Sequence, residues 1–337
     1  MLQSYDLLSV LDNLETLNDD AYLNRLGALP EQLIFLLGPH RSGTSFLHQL
    51  LADSGAVDYI SYYDIVEFSR LLFNFHNDQQ QQAIERIQTQ LDLGGPTRKI
   101  DTIATGLYQP EEYGFILERS PYNIFTSDPI SNTDFSLLRV LCQKKHYFST
   151  AQKSLLLKNP NDFYDGFIRI ATEFPSAQFL FLHRHPLLVF NSQVTAWRQL
   201  TNKQSPWLSI IDASYKSIFE TEFSHIQYRM SLLMDSGLEK IFNTLCRAYD
   251  FYLTHINEVS ESQVVNLRYE DLCDEPVKQL GVISQQFALP ISLTSQHIQA
   301  QPRQILILPE VKRIYEANSY LLAPYLDKFG YSKLPKE

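Results

Sequence analysis

The run Leu33-Ile-Phe-Leu-Leu-Gly-Pro-His-Arg-Ser-Gly-Thr-Ser-Phe-Leu-His-Gln-Leu-Leu51 constrains this chain more than any other segment. Five apolar residues, Leu33 to Leu37, read as a strand buried on both faces, which sets it inside a covered sheet. A turn bounded by Gly38 and Gly43 follows, and an apolar helical pattern begins at Phe46. Strand, glycine turn and helix in that order aim a row of backbone N–H groups at an anion. The spacing Gly38-x-x-x-x-Gly43 is that of a nucleotide phosphate loop, but Thr44 stands where such a loop carries its lysine. The cation comes earlier, at Arg41. The loop is therefore suited to an anionic group other than an ordinary ATP γ-phosphate.

Three more runs read as strands. Ser154 to Lys158 is stopped by Asn159-Pro160, Ala177 to His183 is followed by Arg184-His185-Pro186, and Ser262 to Leu267 comes last. Pro186 suits the first position of a helix over Leu187 to Leu200. Strands separated by long helical stretches imply parallel crossovers. The expected fold class is α/β, a central parallel sheet flanked by helices. Ligands in such sheets bind beyond the carboxyl ends of the strands. Gly38 to Ser45, Lys158 and Arg184 all fall there.

Elsewhere the signals are weaker. Leu7, Leu8, Leu11, Leu14 and Leu17 have helical spacing within residues 4–26. Residues 60–150 hold few strand-like runs and read as mostly helical. Gln79 to Gln82 suits a solvated helix face, Gly94-Gly95-Pro96 a turn, and Pro110-Glu111-Glu112 the opening of a helix. No repeat or Pro/Ser-rich linker divides the chain, so residues 1–337 are expected to form one domain.

Charge narrows the partners. Of 337 residues, 28 are Lys or Arg and 38 are Asp or Glu, so the net charge is 28 − 38 = −10. That balance excludes a broad basic face for nucleic acid and leaves anions to a few local cations. Three cysteines far apart give no disulfide framework and no zinc spacing. The acidic, interrupted start is not a signal peptide, and no apolar run approaches the ~20 residues of a membrane span. The expectation is a soluble, cytoplasmic protein.

At this point the residues resemble the sulfotransferase family that uses 3′-phosphoadenosine 5′-phosphosulfate (PAPS). Gly38-Pro-His-Arg-Ser-Gly-Thr-Ser45 resembles that family's 5′-phosphosulfate loop. Leu155-Leu-Leu-Lys-Asn-Pro160, Phe174 to Pro186 and then Ser192 resemble the segment that grips the 3′-phosphate. Arg268-Tyr-Glu-Asp-Leu272 and the ending Tyr325 to Tyr331 are also similar to family elements. Arg41, where many cytosolic members carry Lys, resembles the branch of protein-tyrosine and bacterial sulfotransferases. His185 departs from the family's usual Asp.

The resemblance implies a phosphate-loop-like sulfotransferase fold, with a donor-binding core at about 33–59 and 150–272 and an acceptor-side insertion at about 60–150. It implies in-line sulfuryl transfer from PAPS to a hydroxyl or amine, release of 3′,5′-ADP (PAP) and no need for a metal. Arg41 and Lys158 would stabilise developing charge. Ser42, Gly43, Thr44 and Ser45 would hold the 5′-phosphate, and Arg184 with Ser192 the 3′-phosphate. An acid some twenty-odd residues after Arg41 would be the base, which leaves Asp64 and Glu67. Glu111 and Glu112 resemble an acidic pair of related bacterial enzymes that could hold the acceptor, and Glu112 stays open as a base. His48, Trp197 and Trp207 read as packing or acceptor-pocket residues, and Arg268 and Tyr269 as surface or adenine-side ones. The expected acceptor is a small or carrier-bound alcohol or phenol, or a lipid; a peptide tyrosine is also open. Two rivals remain, a phosphate-loop kinase and a non-catalytic PAP-binding protein.

Overall fold

The computed structural model describes residues 18–92, 98, 104–117, 135–149, 151, 153–292 and 305–334. Most of the 4–26 helical pattern and the Gly94-Gly95-Pro96 turn lie outside these residues. Within the former, Asp20–Arg25 forms a 3-10 helix.

Five parallel strands make the sheet: β1 (Leu33–Leu37), β2 (Val57–Tyr59), β3 (Ser154–Lys158), β4 (Gln178–His183) and β5 (Val264–Arg268), in the order β2-β3-β1-β4-β5. The central strand pairs Leu36 with Lys158 of β3 and with Leu180 of β4. Alternate residues feed two cores. Phe35, Leu37, Leu157, Phe179 and Phe181 face one side, and Ile34, Leu36, Leu156, Leu180 and Leu182 the other. Both faces being covered explains why these strands read as continuous apolar runs. The strand missing from the sequence reading is β2. It has three residues, too few for any periodicity to show.

Helix α1 (Thr44–Asp53) covers the second face through Leu47, Leu50 and Leu51. Between β2 and β3 lie α2 (Tyr62–Val66), α3 (Gln80–Asp92) and α4 (Phe135–Phe148). The Gln79 to Gln82 tract is solvated, as expected. Pro110-Glu111-Glu112 opens no α-helix: Pro110 bridges Ser61, and a 3-10 turn begins only at Tyr113. Backbone bonds from Tyr63 N to Leu107 O (2.8 Å) and Glu111 N to Ile60 O (2.8 Å) bind that segment to the chain after β2. Then come α5 (Pro186–Asn202), α6 (Asp235–His255), α7 (Tyr269–Asp274) and α8 (Pro276–Phe287). Pro186 does occupy the first turn of α5.

The end of β4 is anchored by polar groups sunk in the aromatic core. His183 Nε2 donates to Asn266 Oδ1 (2.9 Å), and Tyr325 Oη donates to His183 Nδ1 (2.8 Å). The same Asn266 oxygen accepts from Tyr252 Oη at 2.7 Å. Burial pushes the His183 ring down to about 3, against the Asn266 bond. Glu270 of α7 closes the corner by accepting from His185 N (3.0 Å) and Tyr331 Oη (2.9 Å).

Since His183 is neutral when folded and titrates near 6.5 when unfolded, the unfolded chain binds the extra proton between about pH 6.5 and 3. Its stabilising contribution is complete above pH 6.5 and is lost as pH falls through that window, at a slope of about 1.4 kcal/mol per pH unit. Urea titrations of wild type and His183→Gln from pH 7.5 to 5 are expected to show a less stable variant with a shallower decline. An equal slope in the two proteins would contradict the assignment.

Candidate active site

The loop after β1 is shaped by backbone that few residues adopt. Arg41 has φ +72° and Gly43 φ +103°, both left-handed. A Cβ on Gly43 would stand 2.2 Å from the Tyr269 ring, and one on Gly38 2.6 Å from Leu182 O. The two glycines thus let α7 and β4 close onto the loop. No side chain caps α1 at Gly43, so its first-turn N–H groups lack a side-chain acceptor. Ser42 is fully buried and its hydroxyl has no hydrogen-bond partner.

The segment after β4 meets this loop directly. Arg41 Nε donates to Ser192 Oγ on α5 (3.2 Å), and Arg184 Nη1 donates to the Arg41 carbonyl (3.1 Å). The Arg184 guanidinium lies over the Tyr269 ring at 4.3 Å, an attractive stacking. Its Nε is buried without a partner. Gln193 Nε2 donates to His40 O (2.8 Å), and His40 Nε2 donates to Asn161 Oδ1 (3.2 Å). Residues 121 to 153 positions apart thus share one cluster at the ends of β1, β3 and β4.

Lys158 supplies the third cation. It continues the face of β3 that α1 covers, and its Nζ donates to Ser45 Oγ at 3.0 Å. The same Nζ pairs with Glu112 Oε1 at 2.5 Å, with both residues buried. Glu112 Oε2 is buried with no hydrogen-bond partner. Burial disfavours the ionised Glu112, but Lys158, His40 and Arg98 together hold its carboxyl below the usual range. Its neighbour Glu111 goes the other way: burial raises it to about 7, opposed by Arg98 at 2.7 Å and reinforced by Glu112. The Arg98 guanidinium also lies 4.2 Å over the Trp207 ring.

The two acids favoured by spacing have other partners. Asp64 completes a capping box at the start of α2, accepting from Ser61 N (2.8 Å), and pairs with Lys145 Nζ (2.7 Å). Glu67 accepts from Arg70 (3.2 Å), Asn74 (2.8 Å) and Arg86. None of these partners belongs to the loop. Trp197 and Trp207 are both buried. Arg268 lies over the Tyr331 ring at 4.6 Å. His48 is buried, its Nε2 has no partner, and burial, with Lys158 and Arg98, keeps its ring well below the usual histidine range.

Sequence reasoning passed over Arg98 and gave Asn159, a strand stop within the Leu155 to Pro160 motif, no role of its own. Asn159 is buried beside Lys158 with neither amide atom hydrogen-bonded. Its signal was the polar residue directly after a strand-ending lysine. Arg98 has no local signal, because only the fold sets it against Glu111.

A sequence model of the sulfotransferase family matches residues 32–292, from the start of β1 past α8. The chain belongs to the sulfotransferase family. Its structure is similar to that of sulfotransferase STF9 from Mycobacterium avium, with a TM-score of 0.65 at 17% identity over 98% of this chain and 83% of that one. Sulfotransferase STF1 from Mycobacterium tuberculosis H37Rv gives a TM-score of 0.55 at 16% identity, over 88% and 78% of the two chains. At such identities the likeness establishes the fold. No curated protein sequence matches the chain. Among the described residues of this sulfotransferase, no helix is long and apolar enough to cross a membrane.

The loop geometry sets a first test of the site. Gly43→Ala is expected to destabilise the folded protein by at least about 1–2 kcal/mol through left-handed strain alone, with more from the Tyr269 contact. Urea unfolding monitored by circular dichroism measures it, and an unchanged midpoint would contradict the loop conformation.

Proposed function

We propose that this sulfotransferase moves a sulfuryl group from PAPS to a hydroxyl or amine of a small or carrier-bound acceptor and releases PAP. The observation that carries the reading is the contact between two halves distant in sequence: Arg41 on Ser192 and Arg184 on the Arg41 carbonyl. Together they join the loop after β1 and the helix after β4 into one cationic site.

The residues present fit such a donor. The Ser42 hydroxyl and Arg184 Nε are buried donors without a protein partner, as anion oxygens require. Glycines keep the backbone open to close approach. Bound there, the donor supplies a sulfuryl group carried on a 5′-phosphate. Ser42, Gly43, Thr44 and Ser45 hold that phosphate at the α1 N-terminus. Arg184, with its planar fork, and Ser192 hold the 3′-phosphate. Arg41 and Lys158 stabilise charge as it moves between oxygens.

We assign the base to Glu112. Its Oε1 is held by Lys158, so the carboxylate is ionised and fixed in place. Its buried, unpartnered Oε2 is the lone pair that takes the acceptor's proton. Asp64 and Glu67 are instead tied into a helix cap and ion pairs away from the loop. The three cysteines are free thiols, in keeping with work in a reducing cytoplasm.

Radiolabelled PAPS incubated with a metabolite extract is expected to label an acceptor with wild type and not with Arg41→Ala. Arg184→Ala is expected to weaken 3′,5′-ADP binding by about tenfold or more, since a hydrogen bond to a charged group contributes about 1.5–3 kcal/mol. Thermal stabilisation by Mg-ATP but not by 3′,5′-ADP would instead favour a kinase. Binding of 3′,5′-ADP with no labelled product from any extract would favour a non-catalytic binder.

The base is tested separately. Glu112→Gln is expected to lower kcat by about 10²–10⁴-fold while 3′,5′-ADP affinity stays within about twofold. Asp64→Asn and Glu67→Gln are expected to lower the melting temperature and keep kcat. A collapse of kcat in Asp64→Asn beside an active Glu112→Gln would return the role to Asp64.

A further inference from the structure

The helix Glu222–Ser231 packs Tyr228 against the core and turns its other apolar side chains outward. It rests on the protein through His225, whose Nε2 donates to Thr201 O at 2.6 Å, and ends against the buried Leu232. At 100° per residue the opposite face carries Phe223, Ile226 and Met230 and continues toward Leu233. Those four side chains are 76%, 58%, 46% and 63% exposed. Leu233 and Arg229 also line a cavity with Leu308 at that end. A helix normally buries such a stripe, and a contiguous exposed one marks a surface for association.

The flanking charges say what associates. Glu222 and Arg229 lie along the same edge of the stripe, seven residues or about 10.5 Å apart along the axis. Among the described residues neither makes an ion pair within the chain. When two copies of one helix pack antiparallel about a two-fold axis, each edge faces the same edge of the other copy. With the axis passing beside Ile226, Glu222 of each copy meets Arg229 of the other. Phe223 then drops between Ile226 and Met230 of the second copy. Phe223 and Ile226 give an apolar centre, and the two ion pairs fix direction and register. A net charge of −10 argues against an anionic lipid surface as the occupant.

We propose that the face formed by Glu222–Ser231 and Leu233 is an isologous docking surface for a second copy of this chain, packed antiparallel. One short helix covers less than the about 800 Å² per partner of a standard interface, so the dimer is expected to be reversible in the micromolar range.

Sedimentation velocity of the full chain from about 1 to 200 μM tests this, with dimer expected at the upper end. Glu222→Arg alone or Arg229→Glu alone is expected to weaken association by about tenfold or more, and the two together to restore it. Both positions are exposed, so folding is expected to be unchanged, and thermal melts check that. A protein that stays monomeric throughout would overturn the proposal. So would a dimer indifferent to the single reversals, or one that the paired reversal fails to restore. A monomer that floats with phosphatidylcholine vesicles would assign the stripe to a lipid surface instead.

Discussion

Lys158 ends a strand whose preceding residues Leu155, Leu156 and Leu157 are buried and apolar, so its ammonium has no water to fall back on. An ion in that setting persists only with a partner at contact distance. Glu112 at 2.5 Å and Ser45 at 3.0 Å provide it. This pairing organises the site. It holds the first turn of α1 against β3 and draws the segment between Leu107 and Glu112 over the carboxyl end of the sheet. It also keeps one carboxylate ionised beside another that burial raises to about 7. Two adjacent acids pushed apart in this way are the usual arrangement for moving protons.

The sheet explains why the charges collect where they do. The three inner strands β1, β3 and β4, covered on both faces, carry only apolar residues between their ends. Lys158, His183 and Arg184 therefore appear at the ends of β3 and β4, level with the loop after β1. The two strand ends are handled differently. His183 is kept neutral by burial, is held in place by Asn266 and Tyr325 and serves the core, whereas Arg184, one residue later, turns to Arg41 and Tyr269. A single step along the backbone separates an anchoring residue from one that faces the site.

The same logic separates the acids. Asp64 and Glu67 stood at the expected distance after Arg41, yet each is absorbed by local structure, a capping box in one case and flanking arginines in the other. Glu112 is not favoured by spacing from Arg41. It reaches Lys158 because backbone bonds tie its segment to the chain after β2. Spacing along the chain reports helix caps well, since these are local. It says little about which carboxylate crosses to another strand.

The sequence by itself determined the strand-loop-helix unit, the parallel α/β sheet and the cations Arg41, Lys158 and Arg184 at its carboxyl edge. Those follow from short-range rules: apolar runs bury, glycines permit left-handed turns, and proline starts a helix. Only the tertiary structure decided that Arg41 bonds Ser192, that Glu112 rather than Asp64 pairs with Lys158, and that Arg98 sits against Glu111. It also decided that the helix after Thr221 faces outward with its apolar side. Each of these depends on long-range contacts between segments whose own periodicity is silent about their partners. The short β2 and the 3-10 turn at Tyr113 were illegible for the same reason, being too brief for a period to register.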